Sequence, residues 1–275
     1  MNSVQHEVSA SLERCRNYRR RILGISQKVS ALHVAPAFSC IEIVDAIYNI
    51  LMRRNSKGEL RDSFVMSKGH GVMAQYVVLE DLGIMPTDEI DRYCKVDGHL
   101  GAHPDYGQPG IEASTGSLGH GLSIAAGMAY ADRIQGTDRT TYVVLGDGEA
   151  QEGSIWEAIM MVPNLKLSNL VVFLDFNDYQ GLGRTTETHP HLFPLSEKLI
   201  SFGWEAADVD GHDTGAILET MKKRKGVQPF FVTCRTVKGK GVSYMIDKPI
   251  WHYRSPNKEE YTQALAELAS EEAKE

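Results

Sequence analysis

The chain has 275 residues, a formal net charge of −7, 42% hydrophobic residues and 24% charged ones. That composition belongs to an ordinary globular protein and excludes a disordered one, while the acidic balance argues against a nucleic-acid-binding surface. The length suits one large α/β domain over 1–275, and no apolar run approaches the ~18 residues that cross a bilayer, so no membrane association is expected.

Residues 7 to about 30 read as a charged amphipathic helix, with Leu12, Cys15, Leu23, Ile25 and Val29 on its inner stripe. Ser39 stands where it can cap a second helix, from Cys40 to about Arg54, with Glu42 at capping-box spacing. A short strand follows over Asp62 to Met66, and Gly69-His70-Gly71 opens the next helix, with Tyr76, Leu79 and Leu82 inward. Residues 95–117 hold Pro104, Pro109 and five glycines, which predicts a long loop of the kind that carries function in compact domains. Leu118 to Ile134 is a small-residue helix. Strands over 141–145, 170–175, 204–208 and 230–235 then alternate with helices over about 152–163, 192–201 and 213–223. This alternation predicts an α/β fold, a parallel sheet with helices on both faces. Glu259 to Glu275 is charged and helix-prone. The basic clusters Arg19-Arg20-Arg21 and Lys222-Lys223-Arg224-Lys225 read as solvated helix faces.

Cys15, Cys40, Cys94 and Cys234 show no CxxC spacing, which fits reduced, mostly buried thiols. The N-terminus, Met1 to Glu7, lacks a charged-then-apolar signal segment, so a cytoplasmic location is expected.

The chemistry concentrates at Gly146-Asp147-Gly148-Glu149 and at Leu174-Asp175-Phe176-Asn177, thirty positions further on. Each follows a short apolar run, so two strand ends would set a carboxylate and a carboxamide oxygen side by side. Such hard oxygen ligands suit a small divalent cation, Mg2+ above all. Gly146 and Gly148 let backbone amides approach a phosphate at the start of a helix.

With Asn177, this pattern resembles that of the thiamine-diphosphate enzymes, and within them the transketolase family. Gln151-Glu152-Gly153, Trp156-Glu157-Ala158, Ser67-Lys68-Gly69-His70-Gly71, His103-Pro104, Ser114 to Gly121, Thr236 to Ser243 and Trp251-His252 follow the family's wording in its order, from about residue 10 to about residue 260. The resemblance implies the thiamine-diphosphate-binding fold, in its diphosphate-binding module. It implies thiamine diphosphate with Mg2+ (Ca2+ or Mn2+ as substitutes), the metal held by Asp147, Asn177 and the main-chain carbonyl of Tyr179. It assigns the diphosphate to His70, Gly146 and Gly148. Gly116, Ser117 and Leu118 would meet the cofactor rings. His33, His103 and His252 would line the substrate channel and move protons, with His252 also against the cofactor. Glu152 and Glu157 would meet a catalytic glutamate of a neighbouring pyrimidine-binding module. His33 keeps its place in Ala31-Leu32-His33-Val34-Ala35-Pro36-Ala37-Phe38, but the glycines of the family's Ser-Gly-His-x-Gly-Gly run are gone and a Phe is present, so the channel shape and the sugar stay open. Lys238 and Lys240 sit in a Gly-rich turn that either aids a phosphate or is simply solvated, and Arg184 is equally open.

Only the diphosphate-binding module is matched. The resemblance therefore implies the N-terminal subunit of a split transketolase that passes a two-carbon ketol unit from a ketose, in the pattern of central carbohydrate and pentose phosphate metabolism, to an aldose. The pyrimidine-binding and C-terminal domains would lie on a partner chain, in a dimer of such pairs. Alternatives are a ketol transferase of a specialised pathway or a deoxyxylulose-phosphate-type synthase subunit. More remote are a nucleotide-binding oxidoreductase, for which the glycine spacing after 146 is wrong, and a non-catalytic scaffold subunit.

Overall fold

The computed structural model describes residues 3–29, 33–181, 183–246 and 248–272. The expected helix end at residue 30, the Ala31-Leu32 pair before His33 and residues 273–275 of the C-terminal segment lie outside these. In chain order the elements are α1 (Ser3–Ser26), α2 (Val34–Ser39), α3 (Ile41–Asp45, continued in wider π-type turns over Ala46–Leu51), β1 (Ser63–Met66), α4 (Val72–Asp81), α5 (Thr87–Asp91), α6 (Gly121–Gln135), β2 (Thr141–Gly146), α7 (Gly153–Asn164), β3 (Leu170–Phe176), β4 (Tyr179–Gln180), β5 (Gly183–Arg184), α8 (Thr185–Thr188), α9 (Ser196–Ser201), β6 (Glu205–Asp210), α10 (Thr214–Lys223), β7 (Phe230–Arg235) and α11 (Lys258–Glu272).

Five strands form one sheet in the order β1-β2-β3-β7-β6, every pairing parallel. The central runs Tyr142-Val143-Val144-Leu145 and Leu170 to Leu174 are buried at every position. A parallel sheet covered on both faces requires this, because neither pleat face meets water. Val171 and Phe173 face one core, with Ile22 of α1, Ile43 of α3, Tyr76 of α4 and Ile217 of α10. Leu170, Val172 and Leu174 face the other, with Ala125 of α6, Ile159 of α7 and Leu199 of α9. Gly146 of β2 pairs with Asp175 of β3, and Asp175 with Cys234 of β7. The carboxyl ends of three adjacent strands are therefore level, and the loops that leave them converge.

The region after residue 33 departs from the capping-box reading. The helix begins at Val34, before Pro36, a residue the first turn accepts because no intrahelical donor is needed there. Ser39 closes α2 instead of capping the next helix, and its hydroxyl donates to Asp175 Oδ2 at 2.5 Å. Glu42 turns away from any cap and forms an ion pair with Arg19 of α1. Arg19 is thereby 5% exposed, against the expectation of a solvated basic face. Sequence reading also missed α5, and it began α6 three residues early, since residues 118–120 belong to the preceding loop. Cys15, Cys40 and Cys234 are buried free thiols, whereas Cys94 is exposed. Among the described residues no helix is long and apolar enough to cross a membrane.

Burial alone would raise the Glu42 carboxyl, but Arg19 and His212 outweigh it and hold it at about 2, below its ordinary 4.5. A folded pKa below the unfolded one gives stability that is full above about pH 4.5 and lost as the pH falls towards 2. We expect Glu42→Gln to flatten this acid limb, worth on the order of 3 kcal/mol. Urea unfolding curves across pH check it, and an acid limb as steep as wild type would refute the assignment.

Candidate active site

A cavity of about 200 Å³ opens at the carboxyl edge of the sheet, where the loops after β1, β2, β3 and β7 meet. Lys68, Asp147, Asn177, Tyr179, Lys238 and His252 are in its lining. Asp147 leaves β2 and Asn177 leaves β3, and both are buried. Asp147 Oδ1 accepts from the Gly148 N–H at 2.8 Å, and Oδ2 from Thr185 Oγ1 at 3.3 Å. Asn177 Oδ1 accepts from the Tyr179 N–H at 3.1 Å, while its Nδ2 donates to Asp175 Oδ2 at 3.1 Å. That bond fixes which end of the amide is the oxygen. Burial, reinforced by Asp175, raises the Asp147 carboxyl to about 7. A cation beside Asp147 would lift that cost. No cluster of three His, Cys, Asp or Glu able to hold a metal occurs among the described residues. The oxygen set here is instead one carboxylate, one carboxamide and one main-chain carbonyl, donors that suit a hard cation.

Two lysines that sequence reasoning left without a role are buried here. Lys68 follows β1, and its ammonium meets Asp175 and donates to the Pro36 carbonyl at 3.0 Å. Burial by itself lowers the Lys68 pKa, but Asp175 more than offsets it and the ammonium is held charged. Lys238, for which the sequence left a phosphate-aiding and a solvated role open, is 1% exposed. Its Nζ donates to His252 Nδ1 at 2.7 Å and lies 3.4 Å from the Tyr179 carbonyl. Burial and then Lys68 lower it to about 8. A positive charge thus already rests at the carbonyl that the family pattern gives to a metal. Asp175, read from sequence as an ordinary strand-end carboxylate, accepts from Ser39, Lys68, Asn177 and Thr236. The signal available for both lysines was their place directly after an apolar strand, at the edge where such sheets bind ligands.

Four imidazoles gather over this floor. The ring centres of His33 and His70 are 5.6 Å apart, those of His33 and His103 5.8 Å, those of His33 and His252 5.6 Å, and those of His70 and His252 5.3 Å. Burial first, and neighbouring cations and imidazoles second, lower His33 to about 4 and His252 to about 3, and hold His70 well below its usual range. They are neutral near pH 7, able to donate at one nitrogen and accept at the other. His33 Nδ1 is buried with no hydrogen-bond partner, as a site that awaits a polar ligand leaves it. His103 is seated by Gly116, whose φ of +130° admits no ordinary side chain and whose added Cβ would lie 2.7 Å from the imidazole.

The remaining expected residues divide. Gly146, Gly148, Leu118 and Glu152 line the cavity. Ser117 is exposed and outside the lining, and Glu157, one turn along α7, is exposed. Arg184 is engaged with Asp178 and lies over the Tyr179 ring. Of the residues to which no role was assigned, Lys240 is outside the lining, His99 bonds Glu89 at the surface and His120 is exposed. Glu149 was also missed as a structural residue. Its carboxylate accepts from Ser67 Oγ at 2.6 Å, Gly119 N at 3.0 Å and Gly146 N at 3.2 Å, which staples three of the site's loops together.

Residues 14–268 match the family described as transketolase, thiamine diphosphate binding domain. An apulose-4-phosphate transketolase subunit of Phocaeicola vulgatus is 39% identical over 256 residues, covering 91% of this chain and 91% of that protein. The 6-deoxy-6-sulfo-D-fructose transketolase subunit SqwG of a Clostridium species is 37% identical over 252 residues, with 90% and 91% covered. Human transketolase is 33% identical over 261 residues, but these are 92% of this chain and 41% of that protein. The solved transketolase of Leishmania mexicana superposes with a TM-score of 0.86 at 24% identity, over 94% of this chain and 41% of that one, which shows the fold. The level strand ends, the oxygen donors and these likenesses have one conclusion: the chain belongs to the transketolase family, and its residues 14–268 are that family's thiamine diphosphate binding domain.

Proposed function

We propose that this chain is the N-terminal subunit of a two-chain transketolase, which transfers a two-carbon ketol unit from a ketose to an aldose. The observation that carries the reading is the convergence, at one sheet edge, of Asp147, Asn177 and the Tyr179 carbonyl with two buried lysines and four imidazoles. The oxygen donors fit Mg2+, and the cations with the amides near Gly146 and Gly148 fit a diphosphate. Bound there, thiamine diphosphate supplies an electron sink for the carbanion left when a carbon–carbon bond breaks. The chain's own part is to hold and to move protons. Asp147, Asn177 and the Tyr179 carbonyl fix the cation. His70 would donate a hydrogen bond to the diphosphate, and the Lys238 ammonium would offset its charge. Leu118 and the Gly116 turn shape the wall for the rings. His33, His103 and His252 exchange protons with the hydroxyls and carbonyl of the sugar, a role suited to neutral imidazole.

A partner chain is supported from two sides. Two relatives that match this chain over 90% or more of both lengths are named as subunits, one for apulose 4-phosphate and one for a sulfonated fructose. Ile124 and Ile134 of α6 and Met160 and Met161 of α7 are also exposed, on two helices that pack against each other. Apolar side chains grouped in this way mark a surface that another protein covers. The partner carries the pyrimidine-binding module, and the assembly is a dimer of pairs. The names of these relatives favour a ketol transferase of a specialised sugar pathway over the central pentose phosphate route.

Asp147→Ala and Asn177→Ala should each abolish retention of thiamine diphosphate at low Mg2+ with the fold kept, as isothermal titration and melting would record. Near-normal affinity in either variant sinks the metal assignment. The chain purified alone should transfer no ketol unit at any cofactor concentration, and activity should arise on addition of the partner; an active single chain would overturn the split reading. In the reconstituted pair, Glu152→Gln should lower the rate on the order of tenfold, about 1.4 kcal/mol in the barrier. Equal rates for that variant and wild type at saturating cofactor would return Glu152 to an ordinary helix-start carboxylate.

A further inference from the structure

We infer that His212, which does not line the cavity, is a positioning residue for it, acting through the backbone of the segment that carries Lys238; this rests on the functional reading above. His212 sits in the turn between β6 and α10, with its side chain 10% exposed. One ring nitrogen, Nδ1, lies 2.9 Å from Glu42 Oε2. The other, Nε2, accepts the Val237 N–H at 2.8 Å. A backbone N–H can only donate, so Nε2 carries the lone pair and Nδ1 carries the proton that goes to Glu42. The tautomer is fixed, and the ring is a rigid link between the Arg19–Glu42 ion pair of α1 and α3 and the loop that follows β7.

That loop meets the site through the residues on either side of Val237. Thr236 donates its hydroxyl to Asp175, and its N–H to the Phe176 carbonyl at 3.0 Å. Lys238 reaches His252 and the Tyr179 carbonyl. Val237 is the middle tether, and its N–H is held by His212. The turn around His212 is built for this closeness: a Cβ on Gly211 would lie 2.5 Å from Thr236 Cγ2. With the acceptor gone, Val237 loses its anchor. Thr236 and Lys238 then lose the registry that places one on Asp175 and the other in the cavity. Residues that orient the direct partners of a metal or phosphate site are usually worth 10- to 100-fold in affinity.

Two near-isosteres separate the two bonds of His212. Asn puts its amide where Nδ1 is, so it can still donate to Glu42 but cannot reach Val237. Gln puts its oxygen where Nε2 is, so it can accept from Val237 but lacks the donor to Glu42. In the reconstituted pair with Mg2+, His212→Asn should weaken the Kd for thiamine diphosphate on the order of tenfold, and His212→Gln should stay within roughly twofold of wild type. Titration calorimetry gives the affinities and thermal melts give the fold. A role confined to the Glu42 ion pair predicts the reverse order. The inference is overturned if the Asn variant binds like wild type, if the Gln variant falls as far as Asn, or if the Asn loss comes with collapse of the fold. A wild-type pair that binds no thiamine diphosphate would instead remove the functional reading itself.

Discussion

The structure depends on a buried charge pair, Lys68 with Asp175, whose side chains are 1% and 0% exposed. Removing both ions from water costs several kcal/mol for each, and such a pair is tolerable only when every remaining lone pair and proton is satisfied. Here the carboxylate has donors from Ser39, Asn177 and Thr236 as well as Lys68, and the ammonium also has the Pro36 carbonyl. These partners come from α2 and from the loops after β1, β3 and β7. Satisfying one ion pair therefore fixes four segments against each other at one sheet edge. The same network holds the Asn177 amide with its oxygen turned to Tyr179, and it seats the helix that follows His33.

The electrostatics of the cavity follow from that arrangement. The chain as a whole carries −7, and the cavity lining holds the ammonium groups of Lys68 and Lys238 beside Asp147, Glu149 and Glu152, with Lys68 also paired to Asp175. His33, His70 and His252 are pushed towards the neutral form by the same burial and the same cations. An anion is attracted by the fixed positive charges, and the histidines remain free to act as proton donors and acceptors. A cluster of protonated histidines in the same place would lose that second capacity. Asp147, raised by burial and by Asp175, is a carboxylate that gains most from a cation beside it.

The supports of the site extend beyond its lining. Glu149 ties the loops after β1 and β2 to the turn at Gly119. Through Val237, His212 ties the loop after β7 to the Arg19–Glu42 pair. Both use buried carboxylates whose lone pairs are filled by donors from segments that meet only in the folded chain. A site held in this way has its loops fixed against one another at the sheet edge by charges buried beneath them.

The sequence by itself determined the architecture and the positions that bear the oxygen donors. Each central strand is a continuous apolar run between turn residues, and a strand buried on both faces must read so. Asp147 and Asn177 were legible because each directly follows such a run, and His70 because it opens a helix at a strand end. Tertiary structure decided the fate of the other polar residues. Ser39 and Glu42 satisfy a capping pattern locally, yet Ser39 serves Asp175, 136 residues away, and Glu42 serves His212, 170 residues away. Lys238 in its Gly-rich turn reads equally as solvated or as aiding a phosphate, and only β4 with Tyr179 and the His252 segment settle that it is buried. A local pattern fixes what a backbone can do, whereas the partner of a buried charge is set by which distant segments the sheet order brings together.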